Sequence, residues 1–275
     1  LSVMEALKHG GIANRTKVSI KWVDSEFLTP ESLDDTFAGV DGIIIPGGFG
    51  SRGTEGMILA ANYARENKIP FLGICLGMQM AMVAFARNVL GYEDANSSEL
   101  NPDTTHPVVD LMPDQNGIEN LGGTLRLGSY PCVLDKKSKA YALYGTELIN
   151  ERHRHRFEIN NHYRDDFTSH GMMISGQSPD GHIVEMIELP DHPFYVGIQA
   201  HPELKSRPNH AHPLFAGFVE SAEEQGVLRR AKKLLMKRNH LSEPEAHRYL
   251  QKTSMDTGRT MTESAHMVTM LIQED

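Results

Sequence analysis

Cysteine is scarce: two residues in a chain of 275. That is too few for a disulfide framework or a four-thiolate zinc site, so Cys75 and Cys132 read as free thiols of a reducing, cytoplasmic compartment. Long apolar runs are missing too. None nears the roughly 18 uninterrupted residues of a spanning helix, and Leu1-Ser2-Val3-Met4-Glu5 has no signal-peptide character, so a membrane is not an expected partner. There is a single tryptophan, and aromatics make up only 7%. The hydrophobic share of 40% and the charged share of 23% are nevertheless ordinary for globular chains, which excludes wholesale disorder. The length suits one large domain or two smaller ones.

Charge is unevenly divided. The formal net charge is −9, yet residues 226–275 hold nine Lys/Arg against six Asp/Glu, so the acidity belongs to the first 225 residues. An acidic body with a basic tail points to two units with different partners. The pattern agrees. Residues 1–9 have helical spacing, with Gly10-Gly11 as the expected stop. Val18 to Val23 alternates like a strand. Gly42-Ile43-Ile44-Ile45 is the short apolar run of a strand buried on both faces. A helix at about 54–67, a strand at 69–74 and a helix at 76–90 follow, with glycine-rich turns between them. This alternation predicts a three-layer α/β sandwich with a mostly parallel central sheet. Residues 120–200 show shorter strands and turns, including Gly122-Gly123 and Ser178-Pro179-Asp180-Gly181, as in an elaborated sheet edge. From Val227 onward only helical spacing is visible.

The chemistry centres on Gly73-Ile74-Cys75-Leu76-Gly77. A nucleophile between two glycines, at a strand-to-helix junction, is the arrangement of a nucleophile elbow. The glycines permit the tight turn, and the helix N-terminus favours a thiolate. Taken alone, the segment reads equally well as a buried, inert cysteine. Pro46-Gly47-Gly48-Phe49-Gly50 follows the Ile43–Ile45 run, where α/β sheets place their sites. Its N–H groups, with that of Leu76, could stabilise an oxyanion. Gln199-Ala200-His201-Pro202-Glu203 follows a third apolar strand, Phe194 to Ile198. Pro202 disposes His201 toward extended backbone, so the His201 and Glu203 side chains can point the same way. Histidine as base and carboxylate as its orienter complete the logic of a Cys-His-Glu triad.

These three motifs together resemble class I (triad) glutamine amidotransferases. Arg52 to Gly56, Leu125 to Cys132, Glu151-Arg152-His153-Arg154-His155-Arg156-Phe157-Glu158-Ile159-Asn160-Asn161 and Lys205-Ser206-Arg207-Pro208 to His212-Pro213-Leu214-Phe215 narrow the resemblance to the glutaminase half of CTP synthases, over about residues 1–222. The resemblance implies that the Cys75 thiolate attacks the side-chain amide of L-glutamine, that His201 moves the proton and that Glu203 holds the imidazole. It implies an oxyanion hole at Gly48 and Leu76, and glutamine contacts at Gly47, Gln79, Glu99 and Arg156, with Glu99 suited to the ammonium group. No cofactor is implied for this domain. In the family a separate synthetase domain accepts the ammonia and uses ATP and magnesium to aminate UTP, GTP activates the glutaminase, and the full-length enzymes form homo-oligomers.

Some features depart from that pattern. The chain opens at a helix that in the family follows a first sheet strand, and it contains no synthetase domain, which predicts a fragment of a longer chain, a degenerate copy or an artificial fusion. Ala200 stands where the family usually has Phe. A divalent cation beside His153 and His155 would face three interleaved arginines, so no metal site is expected there, and the stretch reads as a basic strand facing substrate or another domain.

Residues 227–275 carry Ala231-Lys232-Lys233-Leu234-Leu235-Met236, Ser242-Glu243-Pro244-Glu245-Ala246 and Met255-Asp256, and through these they resemble an ANTAR module, an RNA-binding antiterminator unit of three helices. Apolar residues recur at helical spacing at Ala231, Leu234 and Leu235 and again at Ala246, Tyr249 and Leu250, and a third helix is expected over 262–273. Ser242 with Glu245 makes a capping box. Six of the ten residues 229–238 are Lys or Arg, enough to attract phosphates. A helical tail packed on the body is the plainer reading. The functional alternative is an inactive amidotransferase remnant whose activity is RNA contact through this tail.

Overall fold

The computed structural model describes residues 1–111 and 126–273 and divides the chain into two units, Leu1–Val219 and Glu220–Asp275. The turn expected at Gly122-Gly123 lies outside the described residues.

The first unit is built on a seven-stranded sheet with order β1-β2-β10-β9-β8-β5-β6. In chain order these are β1 (Ile43–Ile45), β2 (Phe71–Ile74), β5 (Arg126–Leu134), β6 (Leu148–His155), β8 (Met173–Gln177), β9 (Val184–Glu188) and β10 (Tyr195–Ile198). A small second sheet joins β3 (Asn96–Ser97), β4 (Pro107–Asp110) and β7 (Glu158–Ile159). In the larger sheet only β1, β2 and β10 run parallel; β9, β8, β5 and β6 continue it antiparallel. The sheet is therefore mixed, and its parallel part is narrower than the strand–helix alternation predicts. That alternation stops after residue 90, and hairpin-like pairing needs no crossover helices.

Helices cover both faces. On one side α2 (Leu33–Phe37), α3 (Thr54–Glu66), α4 (Leu76–Phe85) and α6 (Arg164–Ser169) enclose a core containing Ile43, Phe71, Met78 and Tyr195. On the other, α1 (Ser2–Ala13), α5 (Lys139–Tyr144) and Leu214–Val219 of α7 (Pro213–Asn239) enclose Leu72, Ile74, Val196 and Ile198. Phe71 and Leu72 thus fall on opposite sides, as the two-residue period of a strand requires. All ten residues of α4 are buried, in keeping with a helix that is apolar on every face.

Two local expectations are corrected. Gly10-Gly11 does not stop α1, which runs through to Ala13. A Cβ on Gly10 would lie 2.7 Å from the Phe215 carbonyl oxygen, so this glycine serves close packing. Burial alternates from Val18 to Lys21, with Val18 and Ile20 packed on the second core, but Trp22 is exposed where the alternation would bury it, and the segment joins no sheet among the described residues. Alternation reports a half-buried extended segment; a strand also needs a partner for its ladder.

The second unit is helical: the C-terminal part of α7, then α8 (Glu243–Thr257) and α9 (Met261–Gln273). Its core holds Val227, Ala231, Leu235, Ala246, Leu250, Ala265 and Val268, most of them at the positions expected from spacing, whereas Tyr249 is exposed. The capping box forms, with the Ser242 N–H donating to Glu245 Oε2 at 2.8 Å.

Candidate active site

The site lies where β1, β2 and β10 end. Cys75 follows β2 directly and caps α4 with φ +52°, ψ −106°. A left-handed φ at a non-glycine residue is costly and persists only where the surroundings impose it. Here they do. The Cys75 N–H donates to the Ile198 carbonyl at 2.7 Å, and its carbonyl accepts from the Gln79 N–H at 3.2 Å. Gly77 is what admits the turn: a Cβ there would sit 2.0 Å from the Ile45 carbonyl oxygen.

His201 comes three residues after β10, its N–H donating to the Arg152 carbonyl at 2.7 Å. Its Nδ1 is 2.8 Å from Glu203 Oε1. Nε2 is buried and bonded to no other group among the described residues, so it is the nitrogen free to exchange a proton with sulfur or substrate. Burial opposes a charged imidazole here. The neighbouring Cys75 sulfur and the Glu203 carboxylate outweigh it, and the His201 pKa is pushed up to about 10. Gly47 lies between the two reactive groups: a Cβ on it would be 2.7 Å from His201 Cε1 and 3.3 Å from Cys75 Cβ. A Cβ on Gly48 would be 3.4 Å from the Leu76 side chain, which sets the two expected oxyanion residues side by side.

Of the residues expected to hold glutamine, Gly47 adjoins Cys75 and His201, Gln79 is tied to the segment that carries Arg156, and Arg156 is within electrostatic reach of Glu99. Gln79, one helical turn beyond Cys75, donates from Nε2 to the Phe157 carbonyl at 2.9 Å, next to Arg156. Glu99 is pushed above the usual carboxylate range by burial, against which the nearby Arg156 guanidinium pulls downward. A carboxylate and a guanidinium within electrostatic reach of each other can receive the two charges of an amino acid. Arg154 points outward with its guanidinium 5.7 Å from the centroid of the exposed Phe49 ring.

The basic stretch divides by face. On β6, Arg152 and Arg154 are exposed, whereas Glu151, His153 and His155 are buried. His155 Nε2 is 2.8 Å from Glu158 Oε1, and burial, reinforced by Arg126, lowers the His153 pKa to about 2. The histidines thus belong to the interior and only the arginines form a basic face. Among the described residues no group of three or more His, Cys, Asp or Glu is arranged to hold a metal ion. Cys132 is also interior, and burial pushes its thiol well above the ordinary range.

Sequence reasoning missed the ionic cluster beneath the site. Arg126 donates to Glu158 Oε1 at 3.0 Å and to Glu185 Oε1 at 2.7 Å, all three side chains being buried. A second cluster joins Glu151 Oε1 to Tyr144 Oη at 3.0 Å and His212 Nε2 at 3.0 Å. The signal was present as the buried polar residues that alternate along β6, but apart from Tyr144, seven residues from Glu151, the partners in these clusters lie more than 30 residues away.

The glutamine amidotransferase class-I family model matches residues 1–221, four-fifths of the chain, and the chain belongs to that family. Within it, the similar curated proteins are CTP synthases. That of Clostridium beijerinckii is 59% identical over 225 residues, covering 82% of this chain and 42% of the relative. That of Carboxydothermus hydrogenoformans is 59% identical over 219 residues, covering 80% and 41%. The chain therefore spans about two-fifths of the length of these relatives. Among solved structures, the glutaminase domain of Trypanosoma brucei CTPS with bound acivicin superposes with a TM-score of 0.76 at 37% identity, covering 81% of this chain and 87% of that one. A Thermoplasma acidophilum protein described as a GMP synthase component shares the fold, with a TM-score of 0.52 at 16% identity, covering 80% of this chain and 88% of that one. Residues 218–268 match the ANTAR domain model. No helix among the described residues is long and apolar enough to cross a membrane.

Proposed function

We propose that residues 1–222 hydrolyse the side-chain amide of L-glutamine and act as the glutaminase half of a CTP synthase type of enzyme, in the cytoplasm. The observation that carries this reading is the strained Cys75 beside an imidazole whose far nitrogen meets Glu203 at 2.8 Å. The sulfur attacks the amide carbon while the developing oxyanion lies against the Gly48 and Leu76 backbone. His201 Nε2 passes a proton to the departing ammonia. Water, deprotonated by the same nitrogen, then releases glutamate from the thioester. Gly47, Gln79, Glu99 and Arg156 hold the amino acid. The domain needs no cofactor of its own for these steps.

The ammonia is meant for a synthetase domain, in this chain's longer form or in a separate partner chain. That domain would bring ATP, magnesium and UTP, with GTP as activator and a homo-oligomer as the assembled state. The test is glutamate release from glutamine by the full chain, lost in Cys75→Ala; a well-folded wild type releasing none would reject the reading.

A second activity is proposed for the tail. The ANTAR match and the exposed Arg229, Lys233 and Lys237 on α7 favour RNA as its ligand. Salt-sensitive binding of hairpin RNA, weakened and made less salt-dependent by neutralising Lys232, Lys233, Lys237 and Arg238, is the expected result. Unchanged binding in that variant would favour a tail that serves packing rather than RNA.

A further inference from the structure

Gln199 stands two residues before His201 and is fully buried, and neither the triad nor the glutamine pocket accounts for it. Its backbone N–H is fixed to the Glu185 carbonyl at 2.9 Å. Its side chain lies between the sulfur and the substrate-side helix: Nε2 is 3.7 Å from Cys75 Sγ, and Oε1 is 3.2 Å from Gln79 Nε2.

The direction of each bond in this chain is determined by chemistry. A backbone carbonyl can only accept, so the Gln79 atom at the Phe157 carbonyl is its NH2 group. That group's second hydrogen is directed to Gln199, so the Gln199 atom facing Gln79 is the carbonyl oxygen. What remains facing Cys75 Sγ is the Gln199 NH2 group, a donor and nothing else. A neutral donor on sulfur favours the anion over the thiol and does so without competing with the His201 imidazolium.

We propose that Gln199 is a positioning residue that holds the Cys75 thiolate through its side-chain amide, its orientation set by a one-way relay from the Phe157 carbonyl through Gln79. The relay starts at the residue after Arg156, so the backbone beside the glutamine pocket and the nucleophile share one hydrogen-bonded chain. This assignment deepens the glutaminase reading and rests on it for its catalytic meaning, but its test reads the sulfur alone.

The experiment is the pH profile of Cys75 alkylation by iodoacetamide in the full chain, with the Cys75 and Cys132 peptides resolved by mass spectrometry. In Gln199→Met the midpoint should rise by about one unit, a tenfold loss of rate at a fixed pH below both midpoints. Gln199→Glu keeps the shape and the bond from Gln79 but turns an oxygen toward the sulfur, and should raise the midpoint further. The KM for glutamine should change little in Gln199→Met, because the Gln79 bond to Phe157 survives. Folded variants with the wild-type alkylation profile overturn the proposal. If neither variant folds, NMR of the wild type decides. The Gln199 side-chain amide protons must shift with the alkylation midpoint and lose that shift in Cys75→Ser; amide protons indifferent to pH overturn it. A shifted profile in a chain whose wild type releases no glutamate would leave the relay standing and reject the glutaminase reading.

Discussion

Arg126→Met removes the only Lys or Arg paired with Glu185 among the described residues. In the wild type Arg126 bridges Glu158 and Glu185 from a position only 11% exposed. After the substitution Glu158 keeps His155 at 2.8 Å, whereas Glu185 keeps only His153, at 3.6 Å. An isolated carboxylate 2% exposed cannot remain charged and takes up a proton. Holding a carboxyl of ordinary pKa, about 4.3, neutral in the folded state costs ~1.36 kcal/mol per pH unit above that value. The deficit relative to wild type is therefore at most ~3.7 kcal/mol at pH 7 and ~1 kcal/mol at pH 5, since the wild-type Glu185 is itself raised by burial. This is a large part of a stability of roughly 5–15 kcal/mol. The sign follows from proton counting. Burial already raises the Glu185 pKa against the pull of Arg126, and loss of Arg126 raises it further. Between the ordinary and the raised value the folded chain keeps a proton that the unfolded chain has released, so stability falls as pH rises. Urea unfolding of wild type and variant from pH 5 to 8, followed by far-UV circular dichroism, reads the difference. A deficit that is the same at pH 5 and pH 8, or below ~1 kcal/mol at pH 7, would refute the reasoning.

Three further outcomes are expected. Glu203→Gln removes the charge that orients His201, so kcat for glutamate release should fall by about 10³–10⁴. The imidazole should also lose part of its upward shift, which NMR titration of His201 would show. Gly77→Ala drives a Cβ to 2.0 Å from the Ile45 carbonyl oxygen; the helix must move, and either a stability loss of about 1–3 kcal/mol or failure to fold should follow. Ser242→Ala removes an N-cap and should cost the helical unit ~1 kcal/mol, measured as a lower urea midpoint with little change in glutamate release.

The parts of this molecule that could be read from sequence are those whose cause is local. Gly73, Cys75 and Gly77 announce a tight strand-to-helix turn, and a Cβ on Gly73 would meet the Gly77 backbone of that same turn at 2.8 Å, although the Ile45 carbonyl that excludes a side chain at Gly77 comes from another strand. His201-Pro202-Glu203 carries its own geometry in the same way, and Ser242 with Glu245 caps its helix as spacing predicts. Properties that depend on distant partners were not legible. Gly10 resembles a helix stop in isolation, and only the Phe215 backbone pressed against it explains its place inside α1. The Arg-His alternation of β6 shows a period of two but not which set faces inward. The outcome depends on Glu158 and Glu185, which arrive from other strands to receive the interior side chains. Gln199 was visible only as a letter before His201. Its meaning depends on Gln79, 120 residues earlier in the chain.

Acid quenching of the full chain during turnover of labelled glutamine, followed by peptide mapping, tests the central claim most directly. A glutamyl thioester on the Cys75 peptide, absent in Cys75→Ser and strongly reduced when His201 is replaced, because the departing ammonia then lacks its proton donor, is the predicted result. Label found on Cys132, or glutamate released with no acyl-enzyme ever formed, would contradict it.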